Sequence, residues 1–555
     1  MSFRRLPVLA GAGIAILFFS FLFIAANPSS GDLPSFWDPV PHDELAAHIV
    51  GEMTDEEQLA QILMFGWAGL DPSPQVRAWV EHRSLGSIKV FGWNTDDTIK
   101  VAESVSQLQK LASKGRFAIP LFVATDQEGG WIRHIKGLTS ETPGNLALGA
   151  SGIPMDAWYA GYHISRELRA LGINLNFAPT LDLYTDHEST VIGPRSFGED
   201  PVAAGILGAA FMAGSREAGV LTTAKHFPGH GDTGIDSHGR LPVIRVNRKT
   251  FYERELAPFI TLIRSGVPAV MSGHLSFPEA VGNGTPATFS SIILKDILRD
   301  ELGFTGLVIT DDMMMNGATQ YAGSVSRAVR MAIEAGNDII ESSTTPPFND
   351  SLWTNSLNWM KSSDIFRQRV RESAERVVRT KLAYFKDENA VPVFPDVQSI
   401  PRQVPDTDGH PHLLSQAVRS VTSVRKNRLP IAEGTELRVL LAGGWQDFKN
   451  AGKLRFPEAA VESINSQLPA VCRSYDTVIF CLSNAETLSV LKRMEHLRDK
   501  IIVISILSPV YLNEVPWVRD ALAVYSYSPW SFTAAFAAIR GDFEPTGIMP
   551  VKDVQ

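Results

Sequence analysis

Seven short apolar runs recur between residues 85 and 342: LGSIKVFG (85–92), AIPLFVAT (118–125), GINLNFAP (172–179), GVLTTAKHF (219–227), GVPAVMSGH (266–274), GLVITDD (306–312) and GNDIIES (336–342). Most are β-branched and apolar throughout instead of alternating with polar residues. That pattern marks strands buried on both faces, as in parallel sheets. Helical patterns lie between them, such as DAWYAGYHISRELRAL (156–171) and SSIILKDILRDEL (290–302). MTDEEQLAQILMFGW (53–67) begins as a helix, with Thr54 as N-cap and Glu57 three residues later. About eight strand–helix units predict an α/β fold of the (β/α)8 barrel type. A doubly wound sheet would alternate in the same way, and periodicity alone does not separate the two.

At 555 residues the chain is too long for one ordinary domain. An amphipathic helix, DIFRQRVRESAERVVRTKLAYF (364–385), closes the first region; Ile365, Val370, Ala374, Val377, Val378 and Leu382 fall close to one face. A proline-rich stretch follows, with prolines at 392, 395, 401, 405 and 411, and reads as a linker. Beyond it ELRVLLAGG, YDTVIFCLS, KIIVISILS and ALAVYSYS predict a smaller layered α/β domain. The expected partition is an N-terminal segment (1–30), a barrel (31–390), a linker (391–412) and an αβα sandwich (413–555).

Arg4 and Arg5 precede an uncharged run from Leu6 to Ala26. As a helix that run would span roughly 30 Å, about one hydrocarbon core. The expectation is a membrane anchor or signal segment, with the arginines on the cytoplasmic side and the remainder exported. Residues 27–43 read as a short tether. The net charge of −9 argues against a nucleic-acid partner. Cys472 and Cys481 could make one bridge, but not a disulfide framework or a zinc ribbon.

Polar residues gather where the predicted strands end. AIPLFVAT runs into Asp126-Gln127-Glu128, GINLNFAP into Asp182, GVLTTA into Lys225-His226, GVPAVMSG into His274, and GLVIT into Asp311-Asp312. In parallel barrels function sits at that end. The loop KHFPGHGDTGIDSHGR (225–240) adds His230, Asp232, Asp236 and His238. Its spacing is not that of a zinc helix, because Pro228 and Gly229 interrupt His226 to His230. Neither a serine elbow nor a phosphate loop is present. No metal or cofactor is expected. Glycoside cleavage remains; it needs a proton donor and a carboxylate on the opposite face of the sugar. Asp236 can orient His238 and favour its protonated form, making His238 the acid and then the base. Asp311, at the end of another strand, can be the nucleophile.

The chain resembles glycoside hydrolase family 3, and within it the bacterial β-N-acetylglucosaminidases. The resemblance rests on DQEGG (126–130), NFAPTLD (176–182), RSFGEDP (195–201), KHFPGHGDTGIDSH (225–238), the stretch 286–313 ending in TDDM, and 525–551. It implies a (β/α)8 barrel followed by an αβα sandwich, and retention of configuration through a covalent glycosyl-enzyme. The family's acid/base dyad falls on His238 and Asp236, and its nucleophile on Asp311. Its sugar-binding positions fall on Asp126, Arg195, Lys225 and His226. The implied substrate is a glycan with terminal β-N-acetylglucosamine, from peptidoglycan fragments or chitin-like oligosaccharides. A phosphorylase on the same site, a β-glucosidase or β-xylosidase, and a non-catalytic wall-binding protein are the alternatives.

One departure stands out. The family usually reads DQEGGRVxR, whereas this chain reads DQEGGWIRHI: His134 occupies the arginine position, and Arg133 lies one residue earlier. Both enter as candidate sugar contacts. Trp131 could stack on a sugar or simply pack. Asp182 is expected to be structural, His230 and Asp232 to shape the loop, Asp312 to orient its neighbour or cap a helix, and Met313 to Met315 to line the pocket or pack the core.

Overall fold

The computed structural model describes residues 33–554 except 190, 433 and 435. The expected anchor at 1–30 lies outside the described residues. Among those described, no helix is long and apolar enough to cross a membrane.

Eight strands form the first sheet: β1 (Leu63–Phe65), β2 (Ser87–Lys89), β3 (Phe122–Thr125), β4 (Leu175–Asn176), β5 (Leu221–Phe227), β6 (Ala269–Ser272), β7 (Leu307–Thr310) and β8 (Ile340–Ser342). Their order is β8-β1-β2-β3-β4-β5-β6-β7, and every pairing is parallel. A bridge between Ile309 and Ile339, with Asp338 N donating to Val308 O at 2.7 Å, brings β7 to β8. Each strand therefore neighbours its sequence neighbours, and the last lies beside the first. That is a barrel, and it excludes the doubly wound alternative.

β1 comes from a stretch that reads as helix. The Thr54 capping box forms, but the helix ends at Gln61, and Leu63–Phe65 turn into a fully buried strand. An apolar run that short fits either structure, and here closure of the ring decides. The helix Asp364–Phe385 buries Val370, Ala374, Val377, Val378 and Leu382 as expected, but Ile365 is 86% exposed and Phe366 faces the core instead.

Two stretches read as free connectors are packed. Phe36 is buried against Phe385, their ring centroids 6.4 Å apart, and a helix begins at His42. In the proline-rich stretch, Val391, Ile400 and Val404 join the barrel core. Asp406 there lies 2.7 Å from His163 Nδ1, and a helix already starts at His410. Proline removes ladder hydrogen bonds, but it does not stop the apolar residues between prolines from docking.

The second sheet holds β9 (Thr422–Arg425), β10 (Val439–Ala442), β11 (Ala460–Glu462), β12 (Thr477–Leu482), β13 (Ile501–Ser505) and β14 (Ala521–Ala523). The order is β9-β14-β13-β12-β10-β11, parallel except for β9 against β14. Alternate residues of β12 and β13 enter different cores. Ile479, Cys481, Ile502 and Ile504 pack with Phe448, Phe532 and Phe536; Val478, Phe480, Ile501 and Val503 pack with Leu491, Met494 and Leu512. Helices thus cover both faces, giving the αβα layering. Cys472 and Cys481 are both free and buried, so the possible bridge does not form.

The two units meet through the helices and loops that follow β3 and β4. Tyr184 Oη lies 2.7 Å from Ser508 Oγ, Arg419 Nε donates to Asp156 Oδ2 at 3.0 Å, and Leu146, Ala147, Ala150 and Tyr184 form one apolar cluster with Ala523, Tyr525 and Val551.

Candidate active site

The carboxyl ends of the barrel strands surround a cavity of about 290 Å³. Its lining includes Lys89 from β2, Asp126 after β3, Lys225 and His226 of β5, and Asp311 and Asp312 after β7. Arg195, His134, His230 and His238 reach it from loops. Lys225 and His226 are consecutive in a strand, yet both line the cavity; the β5–β6 register shifts between Ala224 and Phe227.

The floor is a charge network. Lys225 Nζ lies 2.5 Å from Asp126 Oδ1 and 2.6 Å from Glu128 Oε1. Arg195 grips Glu128 in bidentate fashion, Nη2 to Oε1 at 2.7 Å and Nε to Oε2 at 3.0 Å. Lys89 Nζ stands 3.0 Å from Asp126 Oδ2. Burial alone would raise the carboxyl pKa values. Lys225 and Lys89 instead hold Asp126 well below the usual range, and Arg195 and Lys225 bring Glu128 to about 2.

Asp311 is set in a similar way. Burial opposes its charge, but His226, His274 and the Asp312 N–H bring its pKa down to about 2. Asp312 N donates to Asp311 Oδ1 at 2.8 Å, so one carboxyl oxygen is held from behind. Asp312 accepts from Met314 N at 2.9 Å and Ser343 N at 3.0 Å, fixing the turn. His274 lies beneath, 3.0 Å from the Asp312 carbonyl and 2.9 Å from Thr288 Oγ1; burial lowers its pKa. Met313 is buried, Met314 is exposed, and Met315 lines the cavity.

The loop after β5 hangs from Asp182. Its carboxylate accepts from His226 N at 3.1 Å and His230 N at 2.7 Å, and meets His226 Nδ1 at 2.6 Å. Asp182 is buried and outside the cavity lining, which makes it the loop's anchor. Gly231 sits so close to the Leu183 carbonyl that a Cβ would collide with it. Asp232 faces Arg254 Nη2 at 2.7 Å, on the loop's outer side. Burial pushes His230 down to about 4, so its imidazole is neutral. At the tip, Asp236 Oδ1 accepts from His238 N at 2.9 Å and meets His238 Nδ1 at 2.7 Å. The His238 side chain is 71% exposed, and it lines the same cavity as Asp311.

Arg133 and His134 separate cleanly. Arg133 donates to Thr139 O at 2.8 Å and to Glu141 Oε1 at 2.6 Å, away from the cavity lining. It is not in place as a sugar contact, because the hairpin of Gln127–Gly129 and Ile132–Arg133 turns neighbouring side chains to opposite faces. His134 takes the cavity side, its Nδ1 3.4 Å from Asp126 Oδ2, and burial lowers its pKa to about 4. The Trp131 side chain is 43% exposed and belongs to a neighbouring cleft.

Lys89 and Glu341 join the site without any motif that points to them, and Glu128 stands in the strand-end run Asp126-Gln127-Glu128. Glu341, in β8, is fully buried 3.6 Å from Lys89 Nζ, and neither carboxyl oxygen has a hydrogen-bond partner. Burial, with Asp312, Asp311 and Asp126 nearby, raises its pKa well above the ordinary value despite Lys89. The available signal was a charged residue inside an otherwise apolar strand, as in SIKVF and DIIES.

Known proteins are similar to this chain to different extents. A β-hexosaminidase A of Pseudoalteromonas piscicida is 35% identical over 283 residues, which are 48% of this chain and 47% of that protein. A β-hexosaminidase of Nitrosomonas eutropha is 32% identical over 303 residues, 54% of this chain and 84% of that protein. This chain thus spans about half the length of the first relative and most of the second. The solved structure of a glycoside hydrolase family 3 β-N-acetylglucosaminidase from Paenibacillus sp. str. FPU-7 superposes with a TM-score of 0.82 at 29% identity, over 91% of this chain and 100% of that one. The sequence profile of the glycosyl hydrolase family 3 N-terminal domain matches residues 54–380, which include every strand of the barrel. With more than half its length matched, the chain belongs to glycosyl hydrolase family 3.

Proposed function

We propose that this chain is a retaining exo-β-N-acetylglucosaminidase acting on peptidoglycan fragments or chitin-like oligosaccharides. The observation that carries the reading is the single cavity shared by His238 and Asp311. In this reading Asp311 attacks the anomeric carbon. His238, oriented by Asp236, gives its proton to the departing oxygen and then takes one from water. Asp126, Arg195, Lys225, His226 and His134 contact the terminal sugar. The names of the relatives support hydrolysis of an N-acetylhexosaminide. A carboxylate held at about 2 is ionised at neutral pH, as a nucleophile must be.

The test is Asp311→Asn with an aryl β-N-acetylglucosaminide as substrate. Turnover should fall to background; unchanged turnover rejects the assignment. Running the wild-type assay with and without phosphate decides between water and phosphate as acceptor, since sugar phosphate would mark a phosphorylase. Export through residues 6–26 belongs to the same proposal. Protease treatment of intact spheroplasts should digest the chain, and full protection would refute export.

A further inference from the structure

A second cleft, of about 570 Å³, lies between the barrel loops and the second unit. Its lining shares no residue with the catalytic cavity. The two are nevertheless neighbours, because Trp131 adjoins Ile132 and Pro194 adjoins Arg195 across the wall between them.

The cleft's place in the second sheet is specific. After β10 the chain crosses outward to β11, then returns to pair β12 on the opposite side of β10, and β13 and β14 continue away from it. The direction of winding therefore reverses between β10 and β12. The loops leaving their carboxyl ends splay apart there, which is where open parallel sheets bind ligands. Trp445 follows β10, Ser483 and Asn484 follow β12, and all three line the cleft.

The lining tells the ligand's chemistry. Trp445 and Tyr527 stack with centroids 4.6 Å apart and planes 6° from parallel. Trp445 is 38% exposed, and Trp131 enters from the barrel side. Such flat apolar faces suit the C–H face of a pyranose. Glu188, Ser189 and Asn484 offer hydrogen-bonding groups around them. The lining contains two glutamates and no lysine or arginine. His187 also lines the cleft but already faces Glu199 at 2.6 Å, so a phosphate or carboxylate ligand, the usual occupant of a switch-point crevice, would find little positive charge to pair with.

We propose that this cleft is a second saccharide-binding site, taking one or two uncharged N-acetylated sugars of a glycan beside the catalytic cavity. The class of sugar rests on the glycosidase reading above; the existence of the site does not. The experiment uses the full chain and N-acetylchitotetraose. Binding is measured calorimetrically in an Asp311→Asn background, with the N-acetylglucosamine monosaccharide measured alongside. The tetrasaccharide should bind more tightly than the monosaccharide, and should weaken about tenfold in Trp445→Ala and in Trp131→Ala. Trp131 stands on the barrel side, so its variant keeps the test open should Trp445→Ala fail to fold. In wild-type background the same two variants should lose about tenfold in kcat/KM for the tetrasaccharide, and under about twofold for the aryl glycoside. Tetrasaccharide binding no tighter than that of the monosaccharide, or unaffected by both substitutions, overturns the site. Retained binding by a chain that turns over no aryl glycoside would fault the glycosidase reading alone.

Discussion

Glu341→Gln is the substitution whose effect has the most informative sign. Two pictures of the Lys89–Glu341 contact compete. If Glu341 were ionised, two unit charges 3.6 Å apart would attract by about 5 kcal/mol at an effective dielectric constant near 20. Replacing Glu341 by Gln would then destabilise the protein, by about 3–5 kcal/mol on the scale of broken buried pairs. The surroundings favour the other picture. Lys89 is closer to Asp126, at 3.0 Å, and Asp311, Asp312 and burial all oppose a charge on Glu341. Its folded pKa is therefore raised, and the linkage follows. Below the ordinary value of 4.5 the carboxyl is protonated in both folded and unfolded chains. Above it the unfolded chain ionises while the folded one does not, so the folded state loses about 1.4 kcal/mol per pH unit until its own pKa is reached. Gln carries no such proton. Glu341→Gln should therefore be more stable than wild type at neutral pH, with a gap that shrinks toward pH 4.5. Paired urea-unfolding series at several pH values measure this. A variant less stable than wild type at neutral pH, with a gap independent of pH, refutes the reasoning.

Lys89→Met should cost about 3–5 kcal/mol in the same unfolding assay, because it exposes buried Asp126 to partial neutralisation only; a loss under about 1 kcal/mol would show that Lys225 suffices. His134→Ala should raise KM for the aryl glycoside, whereas Arg133→Ala should leave kcat/KM within about twofold, and the reverse ranking would contradict the two side-chain directions. Covalent labelling of Asp311 by a fluorosugar fluoride, whose leaving group needs no proton, should keep a constant rate from about pH 4 to 6; a fall toward acid would contradict a nucleophile held at about 2. Gly231→Ala should push the loop after β5 off Leu183 and, if His238 acts as proposed, lower kcat by tenfold or more; wild-type activity would show that the loop absorbs the added methyl.

The sequence was most informative where one physical pressure acts alone. Strands buried on both faces must be apolar, so GLVIT and GVPAVMS announce themselves, and the residues that follow them fall where the strands end. β1 was hidden because three apolar residues after a capped helix fit either period. The edge strands β9 and β11 were hidden because exposed edges need no apolar code. Within the site, the dyad of Asp236 and His238 was legible from spacing, since residues two apart in a loop can close a turn. The Lys89–Asp126–Glu341 cluster was not. Lys89 belongs to β2 and Asp126 follows its paired strand β3, but Glu341 comes from β8, which only ring closure beside β1 brings near them. The fate of Arg133 and His134 depended on which face of a two-residue hairpin arm looks inward, a matter of register that neither residue reveals.

The pairing of Leu63 with Ile340 has a consequence for how the chain matures. The first barrel strand leaves the ribosome early and waits for its lateral partner until nearly the whole barrel has been synthesised. During that interval its backbone donors and acceptors form an unprotected rim, open to any other extended segment. Ring completion then depends on very distant contacts, which makes it slow and late. A truncation anywhere before β8 should therefore yield sticky, protease-sensitive chains instead of a smaller working enzyme.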